Sequence, residues 1–155
     1  MRVRVYVGAM LIAWSGAVAL SGTHALAQGQ KVTTPEQLDK VMKSVGPTMR
    51  NMQAAMKASN WADMKKELTT QRQGVADSQS FWIEHKKDDA VELNKQSLAK
   101  IDALNKVLSA EPVDGAAVAT ALKEVGGSCS ACHKQYRAQD AENNYILKPG
   151  TIPGA

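Results

Sequence analysis

Apolar side chains recur every three or four residues in four stretches of this chain, which is the spacing of helices that bury one face. The first stripe runs through Leu38, Met42, Val45, Met49, Met52 and Met56. Similar stripes follow in three later stretches, and no stretch shows sustained strand-like alternation. The pattern predicts four helices, at about residues 35–58, 61–86, 89–109 and 115–138.

Polar residues and a proline mark where these helices begin. Thr34 can cap the first helix, with Pro35 at its first position and Gln37 at its third. Asn60 and Asp114 can cap the second and the fourth helices. Four helices of about 20 residues joined by short turns predict an all-α protein, an antiparallel up-down-up-down four-helix bundle.

Glycines and prolines also interrupt the pattern. Gly46-Pro47 lies within the first helix and predicts a kink there. Residues 141–155 are rich in proline and glycine, so we expect an extended or disordered tail. Residues 28–140 are then the one folded domain.

Residues 1–27 have the layout of a secretory signal peptide. Two early arginines, Arg2 and Arg4, precede an uncharged apolar run, and Ala25-Leu26-Ala27 is a small-residue cleavage site before Gln28. A retained membrane anchor is the alternative, but an apolar run of about 16 residues is shorter than the ~20 that a spanning helix needs. We therefore expect cleavage, export to the periplasm and no membrane attachment afterwards.

The charge of the chain gives little indication of its partners. The formal net charge is +4, and loss of the two leader arginines would lower it to +2. Basic patches with interleaved aromatic residues are absent from the sequence, so we expect no nucleic-acid partner. No nucleophile, base and acid constellation is recognisable either, and we expect the chain not to be an enzyme.

The strongest chemical signal is Cys129-Ser130-Ala131-Cys132-His133, near the end of the fourth predicted helix. Two cysteines three residues apart, followed by a histidine, form the attachment pattern of c-type haem. The two sulfurs add to the porphyrin vinyl groups and the imidazole binds the iron. This motif predicts one covalent haem c held by Cys129 and Cys132, with His133 as an axial ligand.

Three other readings of the two cysteines remain open. A disulfide between them would close a very small loop, and a thioredoxin-like redox pair would need a βαβ context. A tetrahedral zinc site could combine them with His133 and His85. The adjacency of Cys132 and His133 is awkward for such a closed site, so haem is the preferred interpretation.

The motif at the end of a fourth helix, together with residues 125–137 and the four-helix layout of 34–138, resembles the cytochrome c-prime family, the class II cytochromes c. The resemblance implies that the first helix covers the distal side of the haem. It also implies either an open, high-spin iron that binds gases or a low-spin iron with methionine as sixth ligand. Residues 40–46 resemble the low-spin variant, with Met42 as the ligand. By the same resemblance Arg137 would neutralise a haem propionate.

Helix geometry provides a separate test of the sixth ligand. His133 lies about five residues from the end of its predicted helix, or about 8 Å, and Met42 lies about 10 Å into the first helix from the same end of the bundle. Met49 would lie about 21 Å in and is interpreted as core. His85, near the end of the second helix, is a competing ligand, and an open site is the third option.

Two glycines precede the motif by one turn. Gly126 and Gly127 remove side-chain bulk where we expect a flat macrocycle to approach the helix backbone. A simple irregularity of the helix is the alternative explanation.

Taken together, these features predict a periplasmic monohaem electron carrier with His133 and Met42 as axial ligands. A five-coordinate protein that binds nitric oxide or carbon monoxide is the alternative. A weaker possibility is a haem subunit that docks to a larger redox enzyme through residues 145–150. Redox proteins are the expected partners, and the family resemblance also allows a homodimer.

Overall fold

The computed structural model describes residues 29–153 and forms a bundle of helices with a short hairpin at one end. The elements in chain order are α1 (Pro35–Val45), α2 (Thr48–Lys57), α3 (Trp61–Glu84), α4 (Asp88–Leu108), α5 (Gly115–Tyr136), β1 (Arg137–Gln139) and β2 (Tyr145–Leu147). The first predicted helix corresponds to α1 and α2 together. The predicted all-α four-helix bundle is therefore confirmed, and the predicted signal peptide lies outside the described residues.

Helix ends form where the sequence places capping side chains. The Gln37 backbone N–H donates to the Thr34 hydroxyl, and the Gln37 side chain accepts a hydrogen bond from the Thr34 N–H, which completes a capping box. Asn60 and Asp114 accept backbone hydrogen bonds at the starts of α3 and α5. These caps satisfy N–H groups that have no partner within their own helix.

The predicted kink is a full break between α1 and α2. Pro47 has no N–H to donate, so the hydrogen-bonded helix ends at Val45 and begins again at Thr48. The Thr48 hydroxyl donates 2.7 Å away to the Val45 carbonyl oxygen, across the break. This hydrogen bond connects α1 and α2, and the two helices need not share one axis.

The buried apolar residues form two clusters. The main cluster comprises Met52, Ala55, Met64, Leu68, Val75, Ile101, Leu104, Leu108, Val118, Leu122 and Val125. The end cluster comprises Val32, Leu38, Val41, Phe81, Trp82, Ala90, Tyr136 and Ile152. On α2, α3 and α4, buried polar side chains lie where one cluster gives way to the other, and we call Thr48, Ser78, Asn94 and Ser97 the polar layer.

The helices pack in a way that leaves α1 and α5 apart. α1 packs along α3, α4 packs between α3 and α5, and α5 contacts the first half of the chain through α2. In the described part of the chain, α1 and α5 do not pack along each other. The bundle therefore has its loosest side between α1 and the end of α5.

The C-terminal segment differs from the expected extended or disordered tail. β1 and β2 pair in antiparallel fashion, with Arg137 opposite Leu147 and Gln139 opposite Tyr145. Beyond the hairpin, Ile152 is buried in the end cluster. The sequence signal was weak because each strand has only three residues, and one strand begins where helix periodicity was still expected.

No helix within residues 29–153 is both long and apolar enough to cross a membrane.

Gly74 allows α1 to approach α3 closely. A Cβ atom added to Gly74 would overlap Cγ1 of Val45 and would lie 3.5 Å from Cγ1 of Val41. Glycine costs helix stability relative to alanine, but here it removes the atom that would separate the two helices. This close contact explains why position 74 of the long helix α3 is glycine.

Replacement of Gly74 by alanine should therefore destabilise the protein, by about 1–3 kcal/mol, since overpacking outweighs the gain in helix propensity. Urea denaturation of the oxidised holoprotein measures the free energy of unfolding. Gly115→Ala is the matched control, because its added Cβ would lie 3.8 Å from the Trp61 ring, an ordinary contact. Equal stability of the two variants would contradict the role assigned to Gly74.

Candidate haem attachment site

Cys129 and Cys132 belong to the buried stripe of α5. The stripe continues from Val125 through both cysteines to Tyr136, in steps of three and four residues. Cys129 packs against the main cluster and Cys132 packs against the end cluster. The two thiols therefore lie on either side of the boundary between the clusters.

Both cysteines are free thiols with little tendency to ionise. Burial raises the pKa of Cys129, and burial together with the charges of Cys129 and Asp89 raises the pKa of Cys132 to about 11. Reactive redox cysteines have lowered pKa values, because the thiolate is the nucleophile. The environment therefore disfavours the alternative of a thioredoxin-like pair.

His85 is engaged elsewhere and does not complete a zinc site. Its Nε2 donates to the Thr33 carbonyl oxygen at 3.0 Å, and its ring centroid lies 4.5 Å from that of Phe81. Within residues 29–153, no three His, Cys, Asp or Glu side chains are grouped as metal ligands. A tetrahedral site needs four such ligands, so this arrangement gives the zinc interpretation no support.

Met42 lies at the same end of the bundle as the motif. It is half-buried and packs against the end cluster, as Cys132 does. A contact further along the bundle gives the register: the Met49 methyl carbon lies 3.4 Å from the position that a Cβ would occupy on Gly126. Met42 and His133 each lie seven residues from that contact toward the same end of the bundle, His133 along α5 and Met42 across the break between α1 and α2.

The two glycines before the motif have different surroundings. Gly126 lies beneath Met49, so it serves a close contact between α2 and α5 and does not form an open surface. A Cβ on Gly127 would meet no atom within 4 Å, and Gly127 is exposed. Of the two glycines, only Gly127 therefore leaves free space beside the helix. The expectation that a glycine makes room for a macrocycle is kept for Gly127 and not for Gly126.

Sequence reasoning missed two buried polar side chains, Gln71, which contacts a thiol, and Asn94. The Gln71 amide nitrogen lies 3.9 Å from the Cys129 sulfur, and the Thr48 hydroxyl contacts the other end of the same amide. The Asn94 side-chain oxygen is buried with no hydrogen-bond partner among the described residues. Polar residues within an apolar helix stripe were the signal that could have identified them.

His133 lines a groove on the outer side of α5. The groove has a volume of about 760 Å³ and is lined by Gly127, Ser130, Ala131, His133, Lys134, Arg137, Ala138, Gln139 and Tyr145. Burial, and then the charge of Arg137, lower the pKa of His133. Both effects favour the neutral imidazole, the form that binds metals.

Arg137 lies beside His133, but its guanidinium stacks on an aromatic ring. The central carbon of the guanidinium is 4.0 Å from the centroid of the Tyr145 ring. The expected contact of Arg137 with a haem propionate stays a prediction.

Tyr136 connects the motif to the start of α4. Its ring packs against Trp82 with 4.9 Å between centroids, and its hydroxyl donates to the Asp89 carboxylate. Gln135 donates to the same carboxylate at 2.8 Å. The last turn of α5 is therefore fixed to α4 just beyond His133.

One comparison identifies the family of this chain. The family model described as Cytochrome C' matches residues 36–137. The chain belongs to the cytochrome c′ family. No curated protein and no solved structure matches it.

Membership makes this chain a haem-binding c-type cytochrome, and its residues fit that cofactor. The cytochrome has two free, inward-facing thiols at the required spacing, followed by a histidine whose neutral form is favoured. α1 and α5 do not pack along each other in the described part of the chain, and Met42 on α1 and Cys132 on α5 both contact the end cluster. These features fit the binding of a large planar group at this end of the bundle.

Loss of both thiols should abolish covalent attachment. In the Cys129→Ala/Cys132→Ala variant we expect haem to separate from the chain in denaturing solvent, whereas each single variant keeps one thioether and retains it. Intact-mass measurement under denaturing conditions checks this. Ser130→Ala is the control and should carry haem as the unmodified chain does; retention of haem by the double variant would contradict the assignment.

The Tyr136 hydroxyl should also influence stability in acid. Its hydrogen bond is the main reason that the pKa of Asp89 lies below its ordinary value of 3.8. A lowered native pKa stabilises the folded protein above the ordinary value, and this contribution is lost as the pH falls through the native value.

Tyr136→Phe should therefore flatten the fall in the free energy of unfolding as the pH drops below about 5. Chemical denaturation at a series of pH values measures the slope. Tyr145→Phe is the control and should keep the original slope. If Tyr136→Phe keeps that slope as well, the Asp89 contact contributes nothing in acid.

Proposed function

We propose that this cytochrome is an exported, periplasmic electron carrier with one covalently attached haem c. Cys129 and Cys132 hold the porphyrin through thioethers, and His133 and Met42 are the axial ligands of the iron. The position of Met42 supports this proposal best. Met42 packs against the same cluster as Cys132, and Met42 and His133 each lie seven residues from the Met49–Gly126 contact.

When bound, the haem supplies one-electron oxidation and reduction at its iron. The imidazole of His133 and the thioether of Met42 would hold the iron in both oxidation states, so electron transfer would require little rearrangement of the chain. Thioether ligation also raises the reduction potential. Leu38, Val41 and Trp82, all nearly fully buried, keep water away from this end of the bundle.

His85 is the weaker candidate for the sixth ligand. Its Nε2 already donates to the Thr33 carbonyl oxygen, so coordination through that nitrogen would require the hydrogen bond to break. Coordination through it would also move the ring away from Phe81. Met42 has no comparable competing bond, because a thioether sulfur is only a weak acceptor.

The proposed role also specifies the partners of the protein. Redox proteins are its partners, and its role is to carry electrons without catalysing a reaction of its own. Nucleic acid and, after leader cleavage, the membrane are not among its partners. A homodimer is compatible with this role.

Optical spectra of leucine variants test the sixth ligand. Leucine has nearly the volume of methionine but cannot bind iron, so packing changes little. Met42→Leu should replace the narrow low-spin bands of the reduced protein by high-spin bands, lower the reduction potential and speed carbon monoxide binding. Met49→Leu, the matched control, should leave all three properties unchanged.

Each alternative has its own outcome in the same experiment. If the unmodified reduced protein lacks low-spin bands and binds carbon monoxide rapidly, the protein is an open-site gas binder. If Met42→Leu changes nothing and His85→Phe abolishes the low-spin bands, His85 is the ligand. Either result overturns the assignment of Met42.

A further inference from the structure

The C-terminal hairpin lies at the edge of the family-matched region. The match ends at residue 137, so all of β2 lies beyond it, and Arg137 is the last matched residue. The hairpin nevertheless forms one wall of the groove that contains His133, through Arg137, Gln139 and Tyr145. The hairpin therefore lies directly beside His133.

The strand register brings Tyr145 and Arg137 together. Arg137 pairs with Leu147 and Gln139 pairs with Tyr145, so Arg137 and Tyr145 are diagonal neighbours on one face of the hairpin. Diagonal pairs are within reach of aromatic and long side chains. A slip of one residue would turn Tyr145 to the opposite face and remove the stacking contact.

The hairpin is anchored at several points, which makes it a fixed support. The Lys148 backbone N–H donates to the Tyr136 carbonyl oxygen at 2.7 Å, just past β2. In the turn, the Asp140 carboxylate accepts hydrogen bonds from the backbone N–H groups of Glu142 and Asn144. Ile152 is buried in the end cluster. Tyr145 therefore cannot move freely relative to α5.

A positive charge held beside His133 acts on the bound iron. The oxidised form carries one more positive charge than the reduced form, so a nearby cation destabilises the oxidised form more. Arg137 follows His133 by one helical turn and lines the same groove. Its side chain is exposed, so stacking on Tyr145 limits the positions that the guanidinium can adopt, while its field is still screened by salt.

We propose that Tyr145 is a positioning residue that holds the Arg137 guanidinium beside His133, and that this contact raises the reduction potential of the iron. The inference rests on the proposed binding of His133 to the iron and does not depend on the identity of the sixth ligand. Cation–π stacking supplies the attraction, and the hairpin supplies the fixed ring.

Reduction potentials of four variants test this role, measured on holoprotein at low ionic strength, where the Debye length is about 30 Å. Tyr145→Leu should lower the potential, because the guanidinium loses its support. Tyr145→Phe keeps an aromatic face and should retain the original potential. Arg137→Gln should lower the potential at least as far as Tyr145→Leu, and Arg137→Gln/Tyr145→Leu should lower it no further than Arg137→Gln alone.

Salt separates an electrostatic effect from a structural one. At about 1 M salt the Debye length falls to about 3 Å, so the shift caused by Tyr145→Leu should largely disappear. The inference is overturned if Tyr145→Leu leaves the potential unchanged at low salt, if its shift persists at high salt, or if it adds fully to that of Arg137→Gln. Failure of the proposed function has a different signature: haem that is not attached or not bound by His133 shows in the spectrum of the unmodified protein.

Discussion

The rest of the structure depends on the packing of one side of α5 against α4 and the interior of the bundle. Val118, Leu122 and Val125 bury the first turns of this side, and Tyr136 buries its last turn. Cys129 and Cys132 occupy two positions of the same stripe, so burial of the helix also sets the direction of both thiols. The two cysteines therefore belong to the buried face of α5, and the hydrophobic effect that packs this face against the bundle also orients their side chains.

This arrangement explains why the core is divided. A continuous apolar core would fill the space next to Cys129 and Cys132, whereas here the main cluster and the end cluster are separated by the polar layer. Burial of polar groups costs free energy unless they are hydrogen-bonded, and the Asn94 oxygen has no such partner among the described residues. The haem of a cytochrome of this family would occupy the space beside Cys129 and Cys132, which lie on either side of the division between the two clusters.

The second half of α5 is held by different means on the two sides of His133. At the middle of the helix, Met49 rests on Gly126 and fixes the distance between α2 and α5. Past His133, Tyr136 binds Asp89 on α4, and the hairpin folds back so that Tyr145 receives Arg137. His133 therefore lies between two fixed contacts, which limits how far its imidazole can turn when it binds iron.

The sequence by itself determined the helices, their caps, the attachment motif and, through the motif's place in the fourth helix, the family. These features are local: a cap, a periodic stripe and a Cys-x-x-Cys-His spacing depend on residues a few positions apart. A kink at Gly46-Pro47 was also predicted from the sequence, because proline lacks a backbone N–H donor in any context.

Only the tertiary structure decided the contacts between distant residues. The sequence alone provided no reason for Gly74 within α3, and the structure supplies it as close contact with Val45. The sequence likewise predicted no pairing of β1 with β2 and no burial of Ile152 in the end cluster. The pairing of Tyr145 with Arg137 and the engagement of His85 by Thr33 belong to the same class. Such contacts join residues that are close in space and far apart in the chain, and each depends on the arrangement of whole elements, which no local pattern specifies.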